Sequence, residues 1–132
     1  MINFTVGPVQ SSEAVRAIGA QQVPYFRTSE FSEVMFENER LVKKFAKASK
    51  ESKVVFLTGS GSASMETAIM NTLSPSDKAL VVNGGSFGHR FVELLELHHV
   101  SYTEIKLEHG KALKPEHLAP YEEKGYTAFL VN

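Results

Sequence analysis

Two short segments rich in glycine and serine have the composition of an anion-binding loop. The first is segment 59–62, Gly-Ser-Gly-Ser, and it lies between an apolar run and a helical pattern. The first amides of a helix have no partner within the helix, and they lie at the positive end of its dipole. Glycines let a ligand approach the backbone, and serine hydroxyls add donors. The segment therefore predicts a phosphate or other anion site. A tight strand-to-helix turn with a serine N-cap and no ligand is an equally open interpretation.

Two familiar phosphate motifs do not fit this segment. A dinucleotide fingerprint would place its third glycine at position 64, which is Ser64. A P-loop would end in Gly-Lys-Ser/Thr, and no lysine lies between Lys53 and Lys78. An anion at this loop would therefore be held by serines and amides alone.

The second segment is 84–88, Gly-Gly-Ser-Phe-Gly, and it also follows an apolar run. In open parallel sheets, ligands bind beyond the carboxyl ends of strands, so the two segments could face one site. On the residues alone, packing of Phe87 on Phe91, one helical turn later, is the favoured role. Stacking of the Phe87 ring on a planar ligand is the alternative.

The elements that position these loops follow a regular pattern. Strands are predicted near 54–58, 79–83, 101–107 and 127–131, beginning about 25 residues apart, as in successive strand-helix units. Helices are predicted over 12–18, 29–50, 63–73, 86–98 and 115–123. Continuously apolar strands are typical of parallel sheets covered on both faces. The predicted fold is α/β with a mainly parallel sheet, with residues 1–28 as an amino-terminal arm and 29–132 as the domain.

Composition excludes several classes of function. The 132 residues carry a net charge of −1, and no basic patch or basic amphipathic stripe indicates nucleic acid or membrane as a partner. There is no cysteine, and the five histidines lack metal-ligand spacing, so no metal site is predicted. The start of the chain lacks a signal-peptide pattern, and no apolar run reaches membrane-spanning length. A cytoplasmic protein is expected.

Taken together, the loops suggest a family. Segments 58–66, Thr-Gly-Ser-Gly-Ser-Ala-Ser-Met-Glu, and 83–90, Asn-Gly-Gly-Ser-Phe-Gly-His-Arg, resemble class V aminotransferases, which are pyridoxal phosphate (PLP) enzymes of fold type I. The similar branch contains serine–pyruvate, alanine–glyoxylate and 2-aminoethylphosphonate–pyruvate aminotransferases. Segment 4–9, Phe-Thr-Val-Gly-Pro-Val, is similar to the amino-terminal Gly-Pro segment of that branch. The resemblance runs from Met1 to Asn132, and the two loops together are specific.

The resemblance implies roles for individual residues. Ser60, Gly61 and Ser62 match the loop that holds the PLP phosphate. Phe87 matches the aromatic residue that stacks on the PLP ring. Gly7 matches the segment near the substrate carboxylate. The implied cofactor is therefore PLP, and the implied reaction is amino transfer between an amino acid or aminophosphonate and a 2-oxo acid such as pyruvate or glyoxylate.

The resemblance covers only the front part of the large, PLP-binding domain. In the family, the aspartate that pairs with the pyridine nitrogen and the Schiff-base lysine lie further along than Asn132. None of the ten lysines matches that position, so no catalytic residue is assigned and covalent attachment at the family position is not expected. The family often has His-Arg where this chain has Phe26-Arg27. The chain alone is expected to be inactive, and the alternative function is an inactive anion-binding or assembly module.

The resemblance also predicts self-association. Family members are dimers with the active site at the subunit interface, and their substrates are a small-molecule amino donor and a 2-oxo acid. The strand predicted at 54–58 would pair in the family with a strand that comes later in the chain. Its uncovered edge would favour pairing with another copy, so a homodimer or larger oligomer is expected.

Overall fold

Two parts of the chain form separate structural units. The computed structural model describes residues 2–5 and 7–132, and the units are Met1–Phe56 and Leu57–Asn132. The first unit contains helices α1 (Glu13–Gly19) and α2 (Ser29–Phe45). The second unit contains α3 (Gly61–Thr72), β1 (Lys78–Asn83), α4 (Ser86–Leu97), β2 (Ser101–Lys106), α5 (Pro115–Leu118), a 3-10 turn (Ala119–Tyr121) and β3 (Ala128–Leu130). The predicted boundary between an arm and a domain after residue 28 stays a prediction.

Helix α2 shows how the sequence sets helix ends in the first unit. The hydroxyl of Thr28 accepts a hydrogen bond from the amide of Phe31 at 3.2 Å, which is a side-chain N-cap. The predicted end at residue 50 is wrong, because the helix ends at Phe45. Lys47 has a φ of 52°, a left-handed backbone that an α-helix cannot continue through.

The sheet of the second unit is parallel throughout, with β1 in the centre. Strand β2 lies on one side of β1 and β3 on the other, and Leu80 is in register with both Thr103 and Phe129. Ala79 and Val81 of β1 are fully buried. This arrangement confirms the predicted α/β class and the predicted strands at 79–83, 101–107 and 127–131.

The strand predicted at 54–58 is wrong. These residues form no strand, and Val55 and Leu57 are 77% and 67% exposed. An apolar run becomes a strand only where a neighbouring strand takes up its hydrogen bonds. The described strands form one sheet in the order β2-β1-β3, and none of them pairs with residues 54–58. The apolar pattern therefore does not produce a strand here.

The core of the second unit lies on both faces of β1, as side chains alternate along a strand. One face packs against α3 and α4, through Ile69, Ala79, Val81, Val92, Leu94, Leu95 and Val100. The other face has a smaller core of Leu80, Val82 and Ile105. Because β1 is buried on both faces, its carboxyl end is held firmly, and the second glycine-rich loop begins there.

The remaining helices are confirmed, with one shorter than predicted. The pattern over 115–123 gives an α-helix only as far as Leu118, followed by a 3-10 turn. Pro120 has no amide hydrogen and cannot continue an α-helical ladder. Within residues 2–5 and 7–132, no helix has the length and apolar character needed to cross a membrane.

Candidate functional site

Ser60 caps the amino terminus of α3. Its hydroxyl accepts a hydrogen bond from the amide of Ala63 at 3.2 Å, and its carbonyl accepts one from Ser64 at 3.1 Å. Gly61 and Ser62 are the first two residues of the helix, where the helix itself supplies no partner for the amides. These bonds confirm a serine N-cap at the start of α3. It leaves the two amides and the Ser60 hydroxyl proton available to a ligand.

The two glycines of this loop differ in the space that surrounds them. A Cβ added at Gly59 would lie 3.1 Å from the Cβ of Ala63, which is tighter than ordinary contact. A Cβ added at Gly61 would meet nothing within 4 Å, and the Gly61 backbone is not left-handed. The structure therefore leaves open space beside Gly61. A larger residue there would fill that space without straining the turn.

The second loop brings α4 directly against the end of β1. Helix α4 begins at Ser86 after an N-cap, Gly85, that makes no side-chain hydrogen bond. A Cβ at Gly88 would lie 2.7 Å from the carbonyl oxygen of Val82 and 2.8 Å from the Cα of Asn83. Only a residue without a side chain fits at that distance. In the sequence, the only signal of this close approach is a glycine inside a helical pattern.

A cavity of about 300 Å³ lies at the carboxyl ends of the strands. Its walls come from Val82, segment 84–88, Leu107, segment 111–113 and residues 131–132, and we refer to it as the edge cavity. Phe87 lines it and is 43% exposed, so its ring is accessible from the cavity. Stacking of Phe87 on a ligand stays a prediction, but the geometry leaves the ring free for it.

The other predicted site residues lie elsewhere. In the described part of the chain, Ser60, Gly61 and Ser62 do not line the edge cavity. Gly7 belongs to the first unit and is exposed. Their predicted contacts with phosphate and substrate stay predictions.

A polar pair joins the carboxyl end of β1 to β2. Asn83 is 7% exposed, and its side-chain amide donates to a carboxylate oxygen of Glu104 at 2.6 Å. The carbonyl of Asn83 accepts from the amide of Leu107 at 2.9 Å. These bonds fix the ends of β1 and β2 relative to each other. The sequence carries no signal of this pair, because the two residues meet only once the strands are in register.

The perturbed ionisable groups of the second unit lie outside the edge cavity. Hydrogen bonds from the hydroxyl and the amide of Ser74 lower the pKa of Asp77 below its usual range. The hydrogen bond to the Glu96 carboxylate, at 2.6 Å, raises the pKa of Tyr102 above its ordinary value. Among the described residues, no group of histidine, aspartate or glutamate could hold a metal ion.

Comparison with known proteins identifies the class to which this fold belongs. No protein-family model matches the chain. The soluble hydrogenase 42 kDa subunit of Anabaena cylindrica is 35% identical over 113 residues, which are 86% of this chain and 29% of that protein. The L-aspartate–glyoxylate aminotransferase of Paracoccus denitrificans is 29% identical over 83% of this chain and 28% of its own length. A solved aspartate aminotransferase of subgroup IV from Thermus thermophilus has a TM-score of 0.70 at 28% identity, covering 88% of this chain and 32% of that one.

The second unit therefore has the fold of PLP-dependent aminotransferases. The comparisons confirm the resemblance to class V aminotransferases, and the chain matches the amino-terminal third of such proteins. It spans about three tenths of the length of the curated relatives that it matches. At the level of the family, this relationship implies dependence on PLP.

Proposed function

We propose that the chain is the amino-terminal, cofactor-phosphate portion of a PLP-dependent aminotransferase. The enzyme would transfer an amino group between an amino acid or aminophosphonate and a 2-oxo acid such as pyruvate or glyoxylate. The observation that carries the proposal is the match of this chain to aminotransferases, in sequence and fold, over more than four fifths of its length. A homodimer in the cytoplasm is part of the proposal.

The residues of the first loop suit a phosphate group. A serine hydroxyl can donate one hydrogen bond while it accepts another, so Ser60 can cap α3 and still donate to a phosphate oxygen. The amides of Gly61 and Ser62 add two donors at the positive end of the helix dipole. Open space at Gly61 leaves room for the ligand. Phe87 would contact the cofactor ring from the second loop.

When bound, PLP supplies a carbonyl that takes up the amino group and a ring that withdraws electrons from the reacting carbon. In this proposal, the described chain binds and orients that group. The serines and amides fix the phosphate, and Phe87 fixes the plane of the ring. The resemblance assigns none of the ten lysines of this sequence to the position of the proton-moving lysine of the family.

A substitution at Gly61 tests the phosphate site. The probe is pyridoxine 5'-phosphate, which has an alcohol in place of the aldehyde and cannot react with surface lysines. We expect Gly61→Val to weaken its binding about 10- to 100-fold, which corresponds to losing one or two charge-assisted hydrogen bonds. The matched control is Gly19→Val, since a Cβ at that helical glycine also meets nothing within 4 Å. Equal affinity in the wild type and Gly61→Val, measured by calorimetry, would contradict the site.

The second candidate is an anion-binding or assembly module without catalysis. The exposed apolar residues of the first unit, including Phe4 at 91% and Phe45 at 92%, favour a role in assembly. An assay of the purified chain with PLP, amino donors and 2-oxo acids should give no transamination. Turnover by a homogeneous preparation would contradict this expectation.

A further inference from the structure

Asn83 and Gly84 form the only Asn-Gly pair in the sequence. The side-chain amide of an asparagine is open to attack by the backbone nitrogen of the residue that follows it. Glycine hinders that attack least, because it has no side chain. Asn3, Asn38 and Asn71 are followed by phenylalanine, glutamate and threonine. The pair lies where β1 ends and the second glycine-rich loop begins, and the proposed function assigns it no role.

The reaction that this pair permits needs only water. The nitrogen of Gly84 forms a bond to the Cγ of Asn83, and the bond from Cγ to the side-chain nitrogen breaks. The proton lost by Gly84 leaves with that nitrogen as ammonia. Water then opens the cyclic imide at either carbonyl, which gives aspartate or isoaspartate. No oxidant or reductant takes part, and in isoaspartate the main chain runs through the former side chain.

Two hydrogen bonds hold both reacting groups in the folded chain. The side-chain amide of Asn83 donates to the Oε1 of Glu104 at 2.6 Å, and the carbonyl of Asn83 accepts from the amide of Leu107 at 2.9 Å. That carbonyl lies in the same peptide plane as the nitrogen of Gly84, so the second bond also fixes the nucleophile. Formation of the imide requires the two groups to turn toward each other. It therefore requires both bonds to open.

Both bonds lie at the end of the sheet, where opening does not require the whole chain to unfold. Asn83 is only 7% exposed, whereas Gly84 is exposed. We propose that Asn83 and Gly84 form a latent self-modification site. The hydrogen bond to Glu104 keeps the site closed, and the pair reacts when the carboxyl ends of β1 and β2 separate. This proposal does not depend on the proposed function.

Modification would change the loop that follows β1. Aspartate at position 83 would place a second carboxylate beside that of Glu104, and like charges at that distance repel each other. Isoaspartate would add a methylene group to the main chain just before segment 84–88. Phe87 lies on that segment and lines the edge cavity. Either product would weaken the contact between β1 and β2, and isoaspartate would also displace Phe87.

Peptide mapping by mass spectrometry would measure the modified fraction at each asparagine of the full-length chain over time. Incubation in heavy-oxygen water labels the product, because opening of the imide consumes water. The wild type is compared folded and in guanidinium chloride, together with Glu104→Ala, Glu104→Gln and Gly84→Ala. A Cβ at Gly84 would lie 3.8 Å from the Cδ1 of Leu107, which is ordinary contact. Gly84→Ala therefore keeps the fold while it hinders the attack.

We expect Asn83 of the unfolded wild type to react faster than Asn38 and Asn71, and the folded wild type to react more slowly. Glu104→Ala should raise the rate in the folded chain about 5- to 150-fold, because a buried donor loses its acceptor and the strand ends open more often. The rate of the unfolded chain is the upper limit. Glu104→Gln keeps an acceptor oxygen and should react more slowly than Glu104→Ala.

The unfolded chains separate the role of the fold from that of the local sequence. In guanidinium chloride, both Glu104 variants should react at the wild-type rate, and Gly84→Ala should react more slowly. Equal rates for the folded and unfolded wild type would overturn the proposal, and so would equal rates for folded Glu104→Ala and Glu104→Gln. If Glu104→Ala does not fold, the folded wild type and Glu104→Gln still decide, because both must react more slowly than the unfolded chain.

Discussion

Replacing Gly88 with alanine would test how α4 is held against β1. The new Cβ would lie 2.7 Å from the carbonyl oxygen of Val82 and 2.8 Å from the Cα of Asn83. The first distance is about 0.7 Å inside ordinary van der Waals contact. Both contacts are with backbone atoms of a strand buried on both faces, so a side-chain rotation cannot relieve them. The helix or the end of the strand would have to move.

Two effects of this substitution oppose each other. Overpacking of a core contact costs about 1–3 kcal/mol, and a contact with backbone belongs in the upper part of that range. Alanine favours the helix over glycine by about 1 kcal/mol. The net expectation is a loss of about 1–2 kcal/mol in the free energy of unfolding, or roughly 4 °C in Tm for each kcal/mol.

Urea and thermal unfolding followed by circular dichroism would measure the loss. The control is Gly61→Ala at the start of α3, where a Cβ meets nothing within 4 Å. We expect the control to be as stable as the wild type or slightly more stable. If Gly88→Ala were stabilised to the same extent as the control, the close approach of α4 to β1 would be disproved.

Three further outcomes are expected. Glu104→Ala should lower the free energy of unfolding by about 1–3 kcal/mol, since the buried amide of Asn83 loses its acceptor. Glu104→Gln keeps an acceptor oxygen and should retain most of that stability. Equal urea midpoints for the two variants would contradict this. Because the folded-state pKa of Asp77 is lowered, its contribution to stability is present above the ordinary aspartate value and is lost as pH falls through the folded-state pKa. Ser74→Ala should raise that pKa, as measured by carboxyl carbon shifts in an NMR titration; an unchanged value would disprove the assigned cause. Finally, the exposed apolar residues of the first unit predict that the chain forms a dimer or larger assembly, and a monomer in light scattering at micromolar concentration would count against it.

The pattern of apolar residues predicted most of the second unit because its period is set by local geometry. The strands at 79–83, 101–107 and 127–131 lie within one or two residues of their predicted positions. Hydroxyl caps fixed the starts of helices, as at Ser60. The strand predicted at 54–58 is wrong because its formation is not decided by local geometry. Strand formation there depends on a partner elsewhere in the chain, and local pattern carries no information about that partner.

The candidate sites also combine features that local sequence sets with features that only the tertiary structure sets. The sequence by itself determined the two glycine-rich loops and the helices that follow them. Through its resemblance it also predicts which residues contact a cofactor, and that assignment stays a prediction. Only the tertiary structure showed that Gly88 lies in close contact with the backbone of Val82. It also showed that Lys111 and Phe87 line the same cavity. A loop of a given composition can be recognised from its own residues. A cavity exists only where separate segments meet, and strand register and helix packing decide which side chains share it.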